Sequence, residues 1–184
     1  LPAIAASSPI YESKIGDYMD NRLHFYMENQ AEVPSITGDI IPEYVSSFEE
    51  YEKTTIRQYS EDLAKVNAPR CLLNKEWLNS RGAVIRFDRR AVEIRIMDEQ
   101  ECVKSDVALS CFIRAALRGI LQHKEELEYL PHNLLVNNLR AVIRDGLDAL
   151  VQHPKGSTAR QVCRYLHRIA EENASTEEKK YVGN

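Results

Sequence analysis

Glu93 and Arg95 stand two residues apart in a stretch, residues 82–98, that reads GAVIRFDRRAVEIRIMD. Val92, Ile94 and Ile96 alternate there with Glu93, Arg95 and Met97, so an extended chain sets the carboxylate and the guanidinium side by side on one face and the aliphatic residues on the other. A carboxylate fixed on a strand can bind a hard cation such as Mg²⁺ through oxygen. A guanidinium beside it can hold phosphate or carboxylate oxygens with its fork of donors. Together they are equipment for stabilising the charge on a phosphoryl group in transfer. Arg86, Arg89 and Arg90 make the neighbourhood basic within an acidic chain. An exposed strand face with a cross-strand ion pair, worth ~0–1 kcal/mol, accounts for the same spacing, and spacing alone favours that plainer reading.

Other chemically able residues are weaker candidates. Arg114 and Arg118, four apart on an apolar helix, reach a phosphate or snorkel to the surface. His123 and His132 fall at helix ends, where histidine is ordinary. Cys111 reads as packing, and Ser7-Ser8 has no partnered histidine by motif. Trp77, Asn79 and Arg81 line a pocket or, more simply, are a core tryptophan flanked by loop polars.

These residues need a scaffold. Residues 1–46 read as a short apolar element followed by loop, with an irregular stretch from Val33 to Ser47. Ser47 with Glu50 is a capping box opening a helix, with Tyr51, Thr55, Tyr59 and Leu63 at helical spacing, that ends before Pro69. The alternating runs around Asp88-Arg89-Arg90 predict a β-hairpin. From Ser105 to Gln122 a helix is apolar nearly all round and is expected to be buried. Leu135, Leu139, Val142, Ile143, Leu147 and Leu150 predict another helix, broken by Pro154-Lys155-Gly156. Ser157 or Thr158 caps a third, and Ser175 with Glu178 forms a second capping box. The expected fold is α+β: a small antiparallel sheet, the hairpin at about 83–97, packed with several helices, and a C-terminal half that is mostly helical.

The 184 residues suit one domain, 43% hydrophobic and 28% charged, with enough apolar side chains for a core. A net charge of −4 argues against a general nucleic-acid or anionic-membrane binder. Four scattered cysteines with no CxxC spacing read as reduced thiols, which predicts a cytoplasmic protein. The chain opens on Leu1 inside an apolar run, and is expected to be part of something longer.

The strand Arg90–Asp98 followed by the helical run Val107–Ala115 resembles the strand-then-helix signature of the glutamine synthetase fold. More closely, the ordered set of Ala5-Ala6-Ser7-Ser8-Pro9, Tyr18-Met19-Asp20-Asn21-Arg22, Ser47-Phe48-Glu49-Glu50-Tyr51 and this strand is similar to glutamate–cysteine ligase family 2, bacterial carboxylate–amine ligases related to the first enzyme of glutathione biosynthesis. The resemblance implies the C-terminal portion of an ATP-dependent ligase with a glutamine synthetase-like catalytic domain. Residues 1–100 would carry the loop, helix and hairpin part and 101–184 the helical part. It implies Glu93 as a ligand of Mg²⁺, Arg95 as the contact to the phosphate in transfer, Arg22 as the contact to the substrate carboxylate, and Arg86 and Arg90 facing nucleotide phosphates. Glutamate and an amine such as cysteine would be joined through a γ-glutamyl phosphate. The partners are then small molecules, without nucleic acid or membrane, and self-association stays open. The family's enzymes are about twice this length, so this portion alone is expected to be inactive, since Mg²⁺ wants several oxygens in octahedral array. The alternative is a non-enzymatic α+β binding domain whose hairpin is structural.

Overall fold

A computed structural model of the chain describes residues 1–73, 76–123 and 129–183. In chain order the regular elements are α1 (Pro2–Ala5), β1 (Ile10–Tyr11), β2 (Lys14–Ile15), α2 (Asn21–Glu28), α3 (Phe48–Tyr51), α4 (Arg57–Lys65), β3 (Ala83–Arg86), β4 (Ala91–Ile94), α5 (Val103–Gln122), α6 (His132–Asp145), β5 (Leu150–His153), β6 (Gly156–Thr158), α7 (Ala159–Asn173) and α8 (Lys179–Val182). The strands pair antiparallel as β1–β2, β3–β4 and β5–β6. The fold is α+β, as the patterning predicts. Among the described residues no helix is long and apolar enough to cross a membrane. The chain forms two compact units: Leu1–Arg22 with Met97–Asn184, and Leu23–Ile96.

The first unit is built on the packing of α5 against α7, with α6, α8 and α1 around them. Gly119 makes the α5–α7 approach possible, because a Cβ there would run into Ile169 and Asn173. Phe112, Ile113, Ala115 and Ala116 of α5 are buried, whereas Val103, Leu117 and Leu121 are exposed. The helix thus buries a stripe, not its whole circumference as its composition suggests. A second apolar cluster gathers Ala3, Val142, Ala149 and Ala159. The helix predicted to run through Leu150 instead ends at Asp145: Gly146 turns the chain at φ +58, and Leu150 lies exposed in β5. Thr158 caps α7 in a full box with Gln161.

The second box also forms. The Glu178 amide donates to Ser175 Oγ, and Glu178 Oε2 accepts from the Ser175 amide at 2.9 Å. The same carboxylate receives Arg118 Nη1 and Nη2 at 3.0 Å and lies 3.6 Å from Arg114 Nε, so both helix arginines converge on it. The Ser175 amide, then Arg118, hold the Glu178 carboxyl at about 2, against an ordinary 4.5. A folded-state pKa below the unfolded value stabilises the native state above the unfolded pKa and is lost as pH falls through the folded one. Thermal melting points measured across pH are therefore expected to fall between about 4.5 and 2, and the Glu178→Gln variant to lose part of that slope. An unchanged slope in the variant would show that Glu178 contributes nothing to acid lability.

In the second unit, Val33, Ile36, Tyr59 and Leu63 form the apolar core, and burial pushes the Tyr59 phenol above its ordinary value. Only half of the Ser47 box is made: the Glu50 amide donates to Ser47 Oγ at 3.1 Å, but its carboxylate reaches back to the amide and hydroxyl of Ser46. The predicted helix is interrupted by a π turn, Glu52–Ile56, between α3 and α4, and α4 stops at Lys65, before Pro69. The loop before the hairpin inverts expectation. Trp77 is half exposed, while Asn79 and Arg81 are buried. Arg81 holds Glu43 with Nε at 2.5 Å and Nη2 at 2.6 Å, and its Nη1 donates to Ser35 O and Asn79 Oδ1. Asn79 Nδ2 in turn donates to the Tyr51 hydroxyl at 2.7 Å. Burial of these polar groups is tolerated because they satisfy one another.

Helix α2 was not anticipated in the reading of residues 1–46 as a short element and loop. Its first residue, Asn21, donates from Nδ2 to Ser8 O and Tyr18 O, and Leu23 is fully buried, support that apolar periodicity does not display.

Candidate functional site

The β3–β4 register sets Val84 opposite Glu93 and Arg86 opposite Ala91. Residues directly opposite share a face, so Arg86 and Glu93 are diagonal neighbours on one side of the hairpin. Arg95, two residues beyond Glu93, follows on that side, its amide donating to Gly82 O at 2.9 Å and so extending the pairing past β4. A 3-10 turn, Phe87–Arg89, closes the hairpin and leaves Arg90 in the left-handed conformation at φ 50.

The side chains then meet. Arg95 Nε donates to Glu93 Oε1 at 2.9 Å, and Arg86 Nη1 donates to Glu93 Oε2 at 3.3 Å. Arg95 Nη1 also donates to the backbone carbonyl of Asn79 at 2.5 Å, which fixes its guanidinium at both ends. Arg86 Nε lies 3.7 Å from Glu76 and 3.9 Å from Asp88. The hydrogen bond from Arg95 holds the Glu93 carboxyl below its usual range. Burial works against the Arg95 charge, but Glu93 outweighs it and raises the guanidinium pKa further. Both guanidinium groups are about one-fifth exposed and Glu93 is 43% exposed. The arrangement is a pair of ordered, partly shielded cations around one accessible carboxylate, able to bind an anion that competes with Glu93.

The apolar side of the hairpin is less buried than the alternation suggests. Val92 is 63% exposed, while Val84, on the side of Glu93, is fully buried. Among the described residues the hairpin has no third strand to complete a sheet. Ile85 and Val92 instead border a recess of about 120 Å³ with Pro42, Val45 and Tyr51.

The structure thus brings Glu93, Arg95 and Arg86 together. Arg90 is exposed in the turn, apart from them. Arg22 belongs to the first unit, where its Nε donates to Asp98 Oδ1. Asp98, 5% exposed, also accepts from the Ser7 amide at 2.9 Å and the Ser8 hydroxyl at 2.7 Å. Burial opposes its charge, but Arg22 and these two donors hold the Asp98 carboxyl below the usual range. Sequence reasoning quoted Ser7, Ser8 and Asp98 within segments shared with the family and weighed Ser7-Ser8 as an unpartnered nucleophile pair, but did not bring the three together; an acid directly after an apolar strand was the one available signal. Glu76 and the Asn79 carbonyl were missed as well, and no local pattern announces them.

The residues present do not by themselves fit a divalent cation. Glu93 supplies one carboxylate, both of whose oxygens meet guanidinium groups, and among the described residues no group of three or more His, Cys, Asp or Glu could hold a metal ion.

The model of glutamate–cysteine ligase family 2 matches residues 1–184. An uncharacterized protein of Archaeoglobus fulgidus is 42% identical over 182 residues, covering 99% of this chain and 45% of its own length. The chain therefore spans about half the length of that relative. No solved structure matches. With a match that runs from the first residue to the last, the chain belongs to glutamate–cysteine ligase family 2, a family of ligase-type enzymes.

Proposed function

We propose that this chain is the arginine-bearing part of an ATP-dependent carboxylate–amine ligase, acting within a protein of about twice its length. The observation that carries the reading is the convergence of Arg95 and Arg86 on one strand-borne carboxylate in a chain matched throughout by a ligase family. In such a ligation an oxygen of the glutamate γ-carboxylate attacks the γ-phosphorus of ATP, and ADP leaves with the electrons of the broken P–O bond. The amine nitrogen of cysteine, or of another amino compound, then attacks the acyl carbon, inorganic phosphate leaves, and the nitrogen loses a proton. Two anions must approach in the first step, and ordered guanidinium groups stabilise the charge that accumulates.

Arg95, fixed by Glu93 and the Asn79 carbonyl, is the contact to the phosphoryl group. Arg86 and the exposed Arg90 serve the nucleotide phosphates, and Arg22, in its own unit, the substrate carboxylate. Glu93, whose two oxygens meet Arg86 and Arg95 here, would give Mg²⁺ one oxygen only where further carboxylates of the longer protein completed the site. Small-molecule substrates and a soluble, cytoplasmic enzyme belong to the same reading.

The test is ADP release by the longer protein, given ATP, Mg²⁺ and glutamate, with and without cysteine. ADP release that rises with cysteine is the expected result. A folded protein that releases no ADP with glutamate and any amine tested would overturn the ligase reading.

A further inference from the structure

The first unit contains a pocket of about 450 Å³ that has no part in the chemistry above. Its size falls within the range of small-ligand sites. It opens between α5, α7 and α8, and its wall is mainly apolar, with Ala108, Leu109 and Phe112 from α5, Leu147 after α6 and Val182 from α8, interrupted by Ser105 and Arg160. Arg164 and His167 of α7 border it, and the same two residues border a second, polar hollow with Lys155, Gly156, Gln161 and Arg168. A mainly apolar depression and a basic one therefore share Arg164 and His167 as a common border.

Charge in the basic hollow is largely uncompensated. Arg160, Arg164 and Arg168 recur every four residues and so share one face of α7. Arg160 is held by Asp148 at 2.7 Å. His167 meets Val182 O at 2.7 Å, with Glu171 at 3.4 Å. Among the described residues no carboxylate pairs with Arg164, Arg168 or Lys155; Lys155 lies only over the Tyr165 ring, 5.5 Å from its centre. In a chain of net charge −4, this concentration of cations beside an apolar wall selects its own complement.

We propose that the pocket binds a small amphiphilic anion, with its apolar tail between α5 and α7 and its phosphate or carboxylate head at Arg164, Arg168 and Lys155. The tail gains from leaving water, and the head from charge-assisted hydrogen bonds. A purely apolar ligand leaves the arginines unanswered, and inorganic phosphate leaves the apolar wall wet.

Decyl phosphate, decanoate, decanol and inorganic phosphate, titrated calorimetrically into the protein, test this. One site for decyl phosphate or decanoate, with decanol and inorganic phosphate at least about tenfold weaker, is expected. Preference for one of the two heads identifies the source of the anion. Arg164→Gln, an exposed substitution, should weaken decyl phosphate binding about tenfold and leave decanol unaffected. Ala108→Trp should block the tail and abolish binding. Equal affinity for decanol and decyl phosphate, no effect of Arg164→Gln, or no saturable site at all would overturn the proposal. So would concentration-dependent dimerisation that Ala108→Trp abolishes, since the wall would then be covered by a second copy. None of these outcomes bears on ADP release.

Discussion

Replacing Arg95 by glutamine in the longer protein lowers kcat for amine-dependent ADP release by about 10³-fold, the scale of an arginine that stabilises a transferring phosphoryl group. The KM for the amine changes little, because Arg95 acts on the phosphate and not on the acceptor. Arg95→Lys fails almost as badly. One ammonium cannot repeat the fork in which Nε meets Glu93 at 2.9 Å while Nη1 meets the Asn79 carbonyl at 2.5 Å. Steady-state kinetics on the two variants, with circular dichroism to establish that they fold, check this. A glutamine variant within tenfold of the parent's kcat would remove Arg95 from the chemistry and leave it as a structural ion pair.

Arg81→Met unfolds the protein most readily of the single changes considered. It takes the guanidinium from Glu43 and the Ser35 carbonyl, while Asn79 Oδ1 keeps the Arg81 amide at 3.1 Å. Glu43 is 38% exposed and takes up water once the guanidinium is gone, so the loss is about 1.5–3 kcal/mol, the worth of hydrogen bonds to a charged group. That is a sizeable share of a typical domain's ~5–15 kcal/mol and is expected to lower Tm by about 5 °C. Removing both charges is less severe, so Arg81→Met/Glu43→Met should melt above Arg81→Met alone. Differential scanning calorimetry of the three proteins decides it; a Tm unchanged in Arg81→Met would show the network to be idle. Loss here also reaches the candidate site, since the Asn79 carbonyl receives Arg95.

The two networks differ in how much of them sequence could display. Glu93 and Arg95 are two residues apart on one strand, so period-two alternation is enough to pair them, and the turn around Arg89 brings Arg86 within reach. Capping boxes are equally local, and the pairs at Thr158 and Ser175 form where a residue type and a three-residue spacing predict an N-terminus. What lies outside a local window was not legible. Arg81 and Glu43 are 38 residues apart, Arg22 and Asp98 are 76 apart, and neither pair leaves a periodic trace. Composition misleads for the same reason. A tryptophan with polar residues nearby reads as core, yet Trp77 is half exposed while Asn79 and Arg81 are buried through partners distant in the chain. Leu150 fits the helical repeat of α6, but the positive φ of Gly146 ends that helix first. Membership of the family was legible from an ordered set of short segments. The distant partners, the Asn79 carbonyl for Arg95 and Arg22, Ser7 and Ser8 for Asp98, were not.

The first unit is assembled from two stretches of chain, residues 1–22 and 97–184, with the whole of the second unit encoded between them. Ser8 closes on Asp98, 90 residues later. At a ribosomal rate of ~5–20 residues per second, the opening segment therefore waits roughly 5–20 s for the residue that its hydroxyl binds. Leu23–Ile96 has no such delay: every residue of that unit has been added before Asp98 is. Vectorial synthesis thus completes Leu23–Ile96 while α1, in residues 1–22, still lacks its partners α6 and α7. Apolar side chains left waiting in this way are open to chaperone capture and to premature association.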